Sequence, residues 1–289
     1  MANRRILTVG PTATDLIEVL GLPHETYGAD ETQIVRSKSI ESCPFAPLVA
    51  DHANGNLGDE WSTYLQTVKP DVVVADVSCG TCIGRDPMRV RSSPSVLIAI
   101  GRPPLAECLD LLVTVGAWLG VEALAQREYT QRSARLLALR MHAARFLVRT
   151  PGACRPVAAA IVRAGKEWRV SEDRRIAELI DATGCLAANL PAGTVVTGPD
   201  LKAAHIDALL AGSSGARTTT TEIAKYVDEL TDVAPSVWHA DWDALLGSSG
   251  PSVVESVEYL LRATFPKALG TNGTPPPSTV LRRAGAVLQ

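Results

Sequence analysis

The sequence lacks several features that would assign it to a familiar class of protein. No apolar run approaches the ~20 residues that a membrane-spanning helix needs, so we expect no membrane span. The opening residues MANRRILTVG contain neither the apolar core nor the small-residue cleavage site of an export signal, which predicts a cytoplasmic protein. The net charge of −3 provides no excess of positive charge, so we expect no nucleic-acid partner.

The motifs of common enzyme classes are also absent. The sequence contains neither of the glycine-rich phosphate-binding loops, GxGxxG and GxxxxGKS/T, and no GxSxG nucleophile motif. Nothing therefore indicates a hydrolase or a dehydrogenase. Six cysteines in 289 residues are too few for a disulfide scaffold.

A Cys-x-x-Cys motif is the clearest chemical signal that is present. Cys79 and Cys82 follow the apolar run at 72–75, which predicts a buried parallel strand because it is short, continuous and rich in valine. Loops at the carboxyl ends of such strands hold ligands in α/β proteins. In a reducing compartment, two thiols at this spacing bind a metal or act in redox chemistry more often than they form a structural bridge.

Short β-α-β units at both ends of the chain flank a long helical segment. Residues 104–148 contain almost no glycine or proline, which predicts one helix to about Leu119 and a long helix over 121–146. We predict strands at 5–9, 32–37, 72–75, 95–99, 157–163, 194–196 and 236–240, and a further strand near 218–221. We predict further helices at 15–20 (capped by Thr12 or Thr14), 59–68, 174–183, 199–210, 222–230 and 252–265.

These elements predict an α/β protein with two small lobes joined by one long backbone helix. The first lobe spans 1–103, the linking segment 104–150, the second lobe 151–269, and a flexible tail 270–289. The boundary between two lobes is a common place for a ligand, so we expect the ligand cleft there.

Four motifs occur in the order in which they occur in one known family. Residues 4–15 look like its opening strand and Pro-Ser-x-Thr-Glu helix start, and 57–75 look like its Asn-Leu-Glu…Leu-Lys-Pro-Asp-Leu-Val segment. Residues 176–185 look like its Leu-Ile-Glu-Leu-Ala-Gly-Gly segment, and 249–252 resemble its Gly-Pro-Arg ending. Together with the long helix, they make the chain resemble the substrate-binding proteins of vitamin B12 and ferric-siderophore ABC importers.

The resemblance implies a rigid clamp that holds a metal chelate between two lobes. Its ligand-contacting loops fall here on 11–12, the stretch around Cys43, 78–85, 166–168 and 238–242. The candidate ligand-binding residues are Pro11, Thr12, His52, Trp61, Arg85, Trp168, Trp238, His239 and Trp242. The tryptophans can form an apolar wall against a macrocycle, although core packing is the commoner role of such residues. Arg85, Arg102 and Lys166 can hold anionic groups, although a solvated surface position is the commoner role of such residues.

Cys43 joins the Cys-x-x-Cys pair as a candidate metal ligand, because the carboxyl ends of neighbouring parallel strands lie close together. Three thiolates with an open fourth position suit an Fe–S cluster or a zinc ion. The pair can instead cycle between dithiol and disulfide, or the spacing can be incidental. His52 and His239, on predicted cleft loops, are further candidates for a metal.

Three functions follow from these observations. The first is a cytoplasmic binding protein that holds a metal cofactor in its cleft, foremost an Fe–S cluster on Cys43, Cys79 and Cys82, otherwise a corrinoid or haem-type chelate. The second is an enzyme that uses an open iron site as a Lewis acid for elimination, hydration or sulfur transfer. The third is an importer subunit for cobalamin or a ferric siderophore whose leader has been removed. The missing leader weighs against a transporter partner.

Overall fold

The computed structural model describes residues 5–9, 11–26, 65–76, 96–101, 103–151, 153–213, 226–242, 245, 250–265 and 281–283. Two compact units divide the chain. The first unit comprises Met1–Gln131 and Gly247–Ser252, and the second comprises Arg132–Leu246 and Val253–Gln289. Both units combine helices with largely parallel strands, which confirms the predicted α/β class.

The described part of the first unit contains a parallel sheet of four strands. Its elements are β1 (Ile6–Val9), α1 (Pro11–Val19), β2 (His24–Thr26), β3 (Val72–Asp76) and β4 (Val96–Ile100), and the strand order is β2-β1-β3-β4. β3 lies inside the sheet, where Val73, Val74 and Ala75 are fully buried. This confirms the strand that the valine run predicted.

Helix α1 begins at Pro11, earlier than the predicted start at Asp15. Proline is favoured at a first helical position because that position needs no backbone N–H donor. Thr12 and Thr14, predicted as capping residues, therefore lie inside the helix. Thr14 Oγ1 donates instead to Thr8 Oγ1 at 3.1 Å, and the Thr8 side chain is buried.

Several predicted elements of the first unit fall wholly or partly outside the described residues. The predicted strand at 32–37 lies outside them, and only 65–68 of the helix predicted at 59–68 are described, as helix. Strand β2 was not predicted, since three residues are too few to show an alternating pattern.

The predicted long helix is confirmed. After a 3₁₀ turn at Leu105–Glu107, α2 (Asp110–Leu119) ends at Gly120, whose φ of 72° closes the helix in the left-handed conformation. Helix α3 (Glu122–Arg149) then runs for 28 residues. Gly116 permits the close approach of the two helices, because a Cβ there would stand 2.2 Å from that of Ala125. No helix in the described ranges is both long enough and apolar enough to cross a membrane.

The described part of the second unit contains a mixed sheet of seven strands. Its elements are β5 (Val157–Ala164), β6 (Glu167–Val170), α4 (Arg174–Ala182), β7 (Leu186–Ala187), β8 (Val195–Val196), α5 (Gly198–Ala203), β9 (Ala208–Ser213), β10 (Ser236–Ala240), α6 (Val253–Thr264) and β11 (Leu281–Arg283). The strand order is β11-β10-β9-β5-β6-β8, with β7 paired to β5. β11 falls within the tail predicted to be flexible.

The helix predicted at 199–210 is wrong in its second half. Helix α5 is capped by Thr197, whose side chain and that of Asp200 form a reciprocal capping box, and it ends at Ala203. Residues Ala208–Ser213 form strand β9 instead, between β5 and β10. Leu209 and Leu210 are fully buried there, and this burial outweighs the helix propensity of leucine and alanine.

Candidate ligand-binding site

The carboxyl ends of three parallel strands lie at one edge of the second unit's sheet. β5 pairs with β9 in parallel register, with Arg163 opposite Ser213, and β9 pairs in the same sense with β10. The carboxyl ends of all three strands therefore lie at this edge, where α/β proteins bind ligands.

A tight hairpin at this edge brings a cation onto an aromatic ring. After β5 the chain turns at Gly165, whose φ is 62°, and returns as β6. The antiparallel register places Trp168 directly opposite Arg163, so both side chains lie on the same face of the sheet. Residues 166–168 were predicted as a loop, but Trp168 lies on the strand and is 8% exposed.

The guanidinium group of Arg163 lies over two aromatic rings. Its central carbon lies 5.2 Å from the ring centre of Trp168 and 4.3 Å from that of Tyr226. Both distances are in the range of cation–π attraction. Arg163 Nε donates to the Gly165 carbonyl oxygen at 3.1 Å, which fixes the orientation of the guanidinium plane. No ion pair among the described residues involves Arg163.

A cavity of about 530 Å³ opens beside this stack. That volume is typical of small-molecule sites. Leu230 and Val233 contribute apolar surface, while the β5–β6 hairpin, helix α5 and residues 226–233 supply the walls. The lining residues are Arg163, Lys166, Trp168, Gly198, Pro199, Lys202, Tyr226, Glu229, Leu230, Asp232 and Val233.

The charges around the cavity favour an anion. Lys202 Nζ and Asp232 Oδ2 form an ion pair at 2.6 Å, and this contact lowers the pKa of the Asp232 carboxyl group. The charges of Lys202 and Asp232 cancel. The other charged side chains that line the cavity are the cations Arg163 and Lys166 and the anion Glu229, so positive charge is in excess. The excess positive charge and the open guanidinium edge suit a carboxylate or phosphate.

The other aromatic candidates of the second unit lie on a strand or in the core. Trp238 and His239 were expected on a loop but lie on β10, where His239 is buried. Trp238 Nε1 donates to Ser236 Oγ at 2.7 Å. Trp242 is 1% exposed, and its Nε1 donates to the Ile161 carbonyl oxygen at 3.4 Å, which is the environment of a core residue. Ligand contact by these three residues stays a prediction.

Most candidates of the first unit lie outside the described residues. These are Cys43, His52, Trp61, Cys79, Cys82 and Arg85. Thr12 is described and is fully buried, and Pro11 begins α1.

The described cysteines do not form a metal site. Cys108 is buried and its Sγ donates to the Pro104 carbonyl oxygen, whereas burial raises the pKa of the Cys185 thiol and Cys154 is exposed. Within the described ranges, no group of three or more His, Cys, Asp or Glu side chains is arranged to hold a metal ion. The assignment of Cys43, Cys79 and Cys82 as metal ligands remains a prediction.

Sequence reasoning missed Arg163, Lys202 and Tyr226. A signal for the first was present: Ala164-Gly165-Lys166 is a turn between a strand and the alternating Glu167-Trp168-Arg169-Val170, which favours a hairpin. No local pattern indicates that Tyr226 reaches the same guanidinium group.

Comparison with known proteins identifies the fold. No protein-family model matches the sequence, and no curated protein matches it. A periplasmic heme-binding protein from Pseudomonas aeruginosa has a similar structure, with a TM-score of 0.64, 15% identity, and 99% of each chain covered. The periplasmic heme-binding protein RhuT from Roseiflexus sp. RS-1 has a TM-score of 0.57 and 18% identity, and the match covers 92% of this chain and 99% of RhuT. The vitamin B12-binding protein BtuF of Vibrio cholerae has a TM-score of 0.57 and 15% identity, and the match covers 93% of this chain and 98% of BtuF.

Proposed function

We propose that this chain, which has the fold of periplasmic heme- and vitamin B12-binding proteins, binds a planar metal chelate with anionic side arms. The observation that carries the proposal is the guanidinium group of Arg163, which lies over the rings of Trp168 and Tyr226 beside an open, positively charged cavity. The ligand is cargo, and the chain binds and releases it without a chemical step.

The arrangement suits a tetrapyrrole that carries carboxylates. Two aromatic rings and the Gly165 carbonyl oxygen fix the guanidinium group, so its outer N–H groups can meet a carboxylate in a bidentate pair with little further loss of entropy. Trp168, Leu230 and Val233 line the cavity near that charge, each with 8% of its surface exposed. Heme carries propionate carboxylates at the rim of its apolar ring, whereas the corrin ring of cobalamin carries amides at its rim and the one phosphate of cobalamin lies in its nucleotide loop, away from the rim. The cavity therefore favours heme over the corrinoid.

Absorbance titration of the full chain with hemin tests the proposal, with cyanocobalamin and a ferric trihydroxamate in parallel. We expect saturable hemin binding with a shifted Soret band, and a loss of affinity of about tenfold in Arg163→Ala, as for one charge-assisted pair. Arg169→Ala is the matched control, because Arg169 lies on β6 and pairs with Glu167 away from the lining. Equal hemin affinity in both variants, or no hemin binding by the wild type, contradicts the proposal.

A role in chelate import is supported by the functions of the structural neighbours, which are periplasmic heme- and vitamin B12-binding proteins. Such a role requires a location outside the cytoplasm, and a cytoplasmic location is the alternative. Fractionation of cells that express the complete natural gene distinguishes the two: import requires the protein in the exported fraction.

An Fe–S protein is the second candidate function. The observation that favours it is strand β3, which ends at Asp76, shortly before Cys79 and Cys82. Anaerobic purification with iron and sulfide analysis tests it: bound iron and sulfide that are lost in Cys79→Ser and Cys82→Ser support the cluster. Colourless, iron-free protein after reconstitution removes this candidate.

A further inference from the structure

Helix α3 carries an apolar stripe on the side that faces away from its own core contacts. Leu139 and Ala143 are buried, and they mark the packed side of the helix. At 100° per residue, the opposite side is occupied by five apolar residues, which we call the α3 stripe: Ala134, Leu137, Met141, Ala144 and Val148. Leu137, Met141 and Val148 are 59%, 42% and 87% exposed, and the two alanines are exposed as well. The stripe lies entirely in the second unit.

The spacing of the stripe is that of a helix-pairing seam. Its members follow one another at intervals of three, four, three and four residues, which is the a/d pattern of a heptad. A surface helix that lies in a membrane interface shows a wider apolar face with bulky aromatic residues, whereas a strict a/d stripe is the narrower seam of a coiled coil. The α3 stripe contains no aromatic residue, and its two alanines leave room for a second helix to approach.

The charges beside the stripe define the partner. No Asp or Glu occurs between Glu128 and Glu167, so this part of α3 is purely basic. Arg132 and Arg135 pair with Glu255 of α6. Arg140 and Arg145, which flank the stripe on either side, are exposed and take part in none of the ion pairs found among the described residues.

We propose that the α3 stripe docks an amphipathic helix of another protein that carries acidic residues beside its apolar seam. Glutamates at the flanking positions of such a helix meet Arg140 and Arg145, while its apolar residues cover Leu137, Met141 and Val148. A second copy of this chain does not provide that complementarity, since its own α3 would place arginines against arginines. The site is separate from the cavity at Arg163, and the proposal does not depend on the bound chelate.

Fluorescence anisotropy with two synthetic peptides of about three heptads tests the proposal on the full chain. Both peptides have leucine and alanine at the a and d positions; one has glutamate at the e and g positions, and the other has lysine there. We expect saturable binding of the glutamate peptide only, and at least about tenfold weaker binding by Met141→Glu and by Arg140→Glu. His142→Glu is the control, because His142 is exposed on the same helix but lies off the stripe. Hemin affinity should stay unchanged in all variants.

Four outcomes overturn the proposal. Absence of binding of the glutamate peptide removes it, as does equal binding of both peptides. The chain can instead sediment with vesicles of phosphatidylglycerol and phosphatidylcholine without binding either peptide. If Met141→Glu abolishes that sedimentation, the stripe binds a membrane surface. Concentration-dependent dimerisation that Met141→Glu abolishes assigns it to a second copy of this chain.

Discussion

Asp15 Oδ2 accepts a hydrogen bond of 3.0 Å from the backbone N–H of Ser252, which joins α1 to the residues just before α6. The two residues are 237 positions apart in the sequence, yet both belong to the first unit. The chain thus returns to the first unit at 247–252, and a carboxylate near the start of α6 anchors that return.

This anchor predicts the effect of removing the carboxylate. Asp15→Ala should lower the free energy of unfolding by about 1–2 kcal/mol, since it leaves a partly buried N–H donor without its partner. Glu18→Ala, on an exposed position of the same helix, should change it by less than about 0.5 kcal/mol. Urea denaturation followed by circular dichroism measures both, and equal effects would contradict the assignment.

A cluster of arginines and glutamates between α3 and α6 predicts a pH dependence of stability. Burial acts to raise the pKa of the Glu258 carboxyl group, but hydrogen bonds from Arg262 and Arg135 outweigh it and hold the pKa below its usual value of 4.5. A carboxyl group whose pKa is lower in the folded state stabilises the fold above its unfolded pKa, and this contribution is lost as the pH falls.

Glu258→Gln should therefore destabilise the chain by about 2 kcal/mol at pH 7, and the difference from wild type should shrink as the pH falls below about 4.5. Urea denaturation across this pH range measures the change. Glu167→Gln serves as the control, because Glu167 and its partner Arg169 are both about half exposed and such pairs contribute little. If the free energies of unfolding of wild type and Glu258→Gln differ by the same amount at all pH values, the ionised carboxylate is not the stabilising group.

The close packing around Gly212 predicts a steric effect. A Cβ at Gly212 would lie 2.0 Å from the Ala240 carbonyl oxygen and 2.9 Å from the Trp242 ring. Gly212→Ala should destabilise the second unit by about 2–3 kcal/mol, because backbone and a buried indole would have to move. Gly101→Ala, where a Cβ meets nothing within 4 Å, should leave the melting temperature nearly unchanged. Similar thermal stability of the two variants would show that the site relaxes freely.

The aromatic stack predicts a difference between two substitutions of Tyr226. Cation–π attraction requires the ring and not the hydroxyl group, so Tyr226→Phe should retain hemin affinity whereas Tyr226→Ala should weaken it about fivefold. Hemin titration at matched ionic strength measures both affinities. A loss in Tyr226→Phe equal to that in Tyr226→Ala would instead assign the effect to the hydroxyl group.

Local patterns predicted the elements that depend on nearby residues. The valine run at 72–75 predicted a strand, and the stretch at 121–146, which has no glycine or proline, predicted a long helix; both predictions are confirmed. Leu209 and Leu210 show the limit of this reasoning, since their residue types favour a helix and only their position between β5 and β10 makes them a strand.

The sequence by itself determined the long helix, the parallel β-α-β units and the order of motifs that resembles chelate-binding proteins, because each is written in contiguous residues. Only the tertiary structure decided that Trp168 and Tyr226 meet on the guanidinium group of Arg163, and that the carboxylate of Asp15 meets the backbone of Ser252. Such contacts depend on strand register and on the return of the chain to its first unit. Strand register and the return of the chain depend on burial over the whole fold, so no local sequence pattern predicts them.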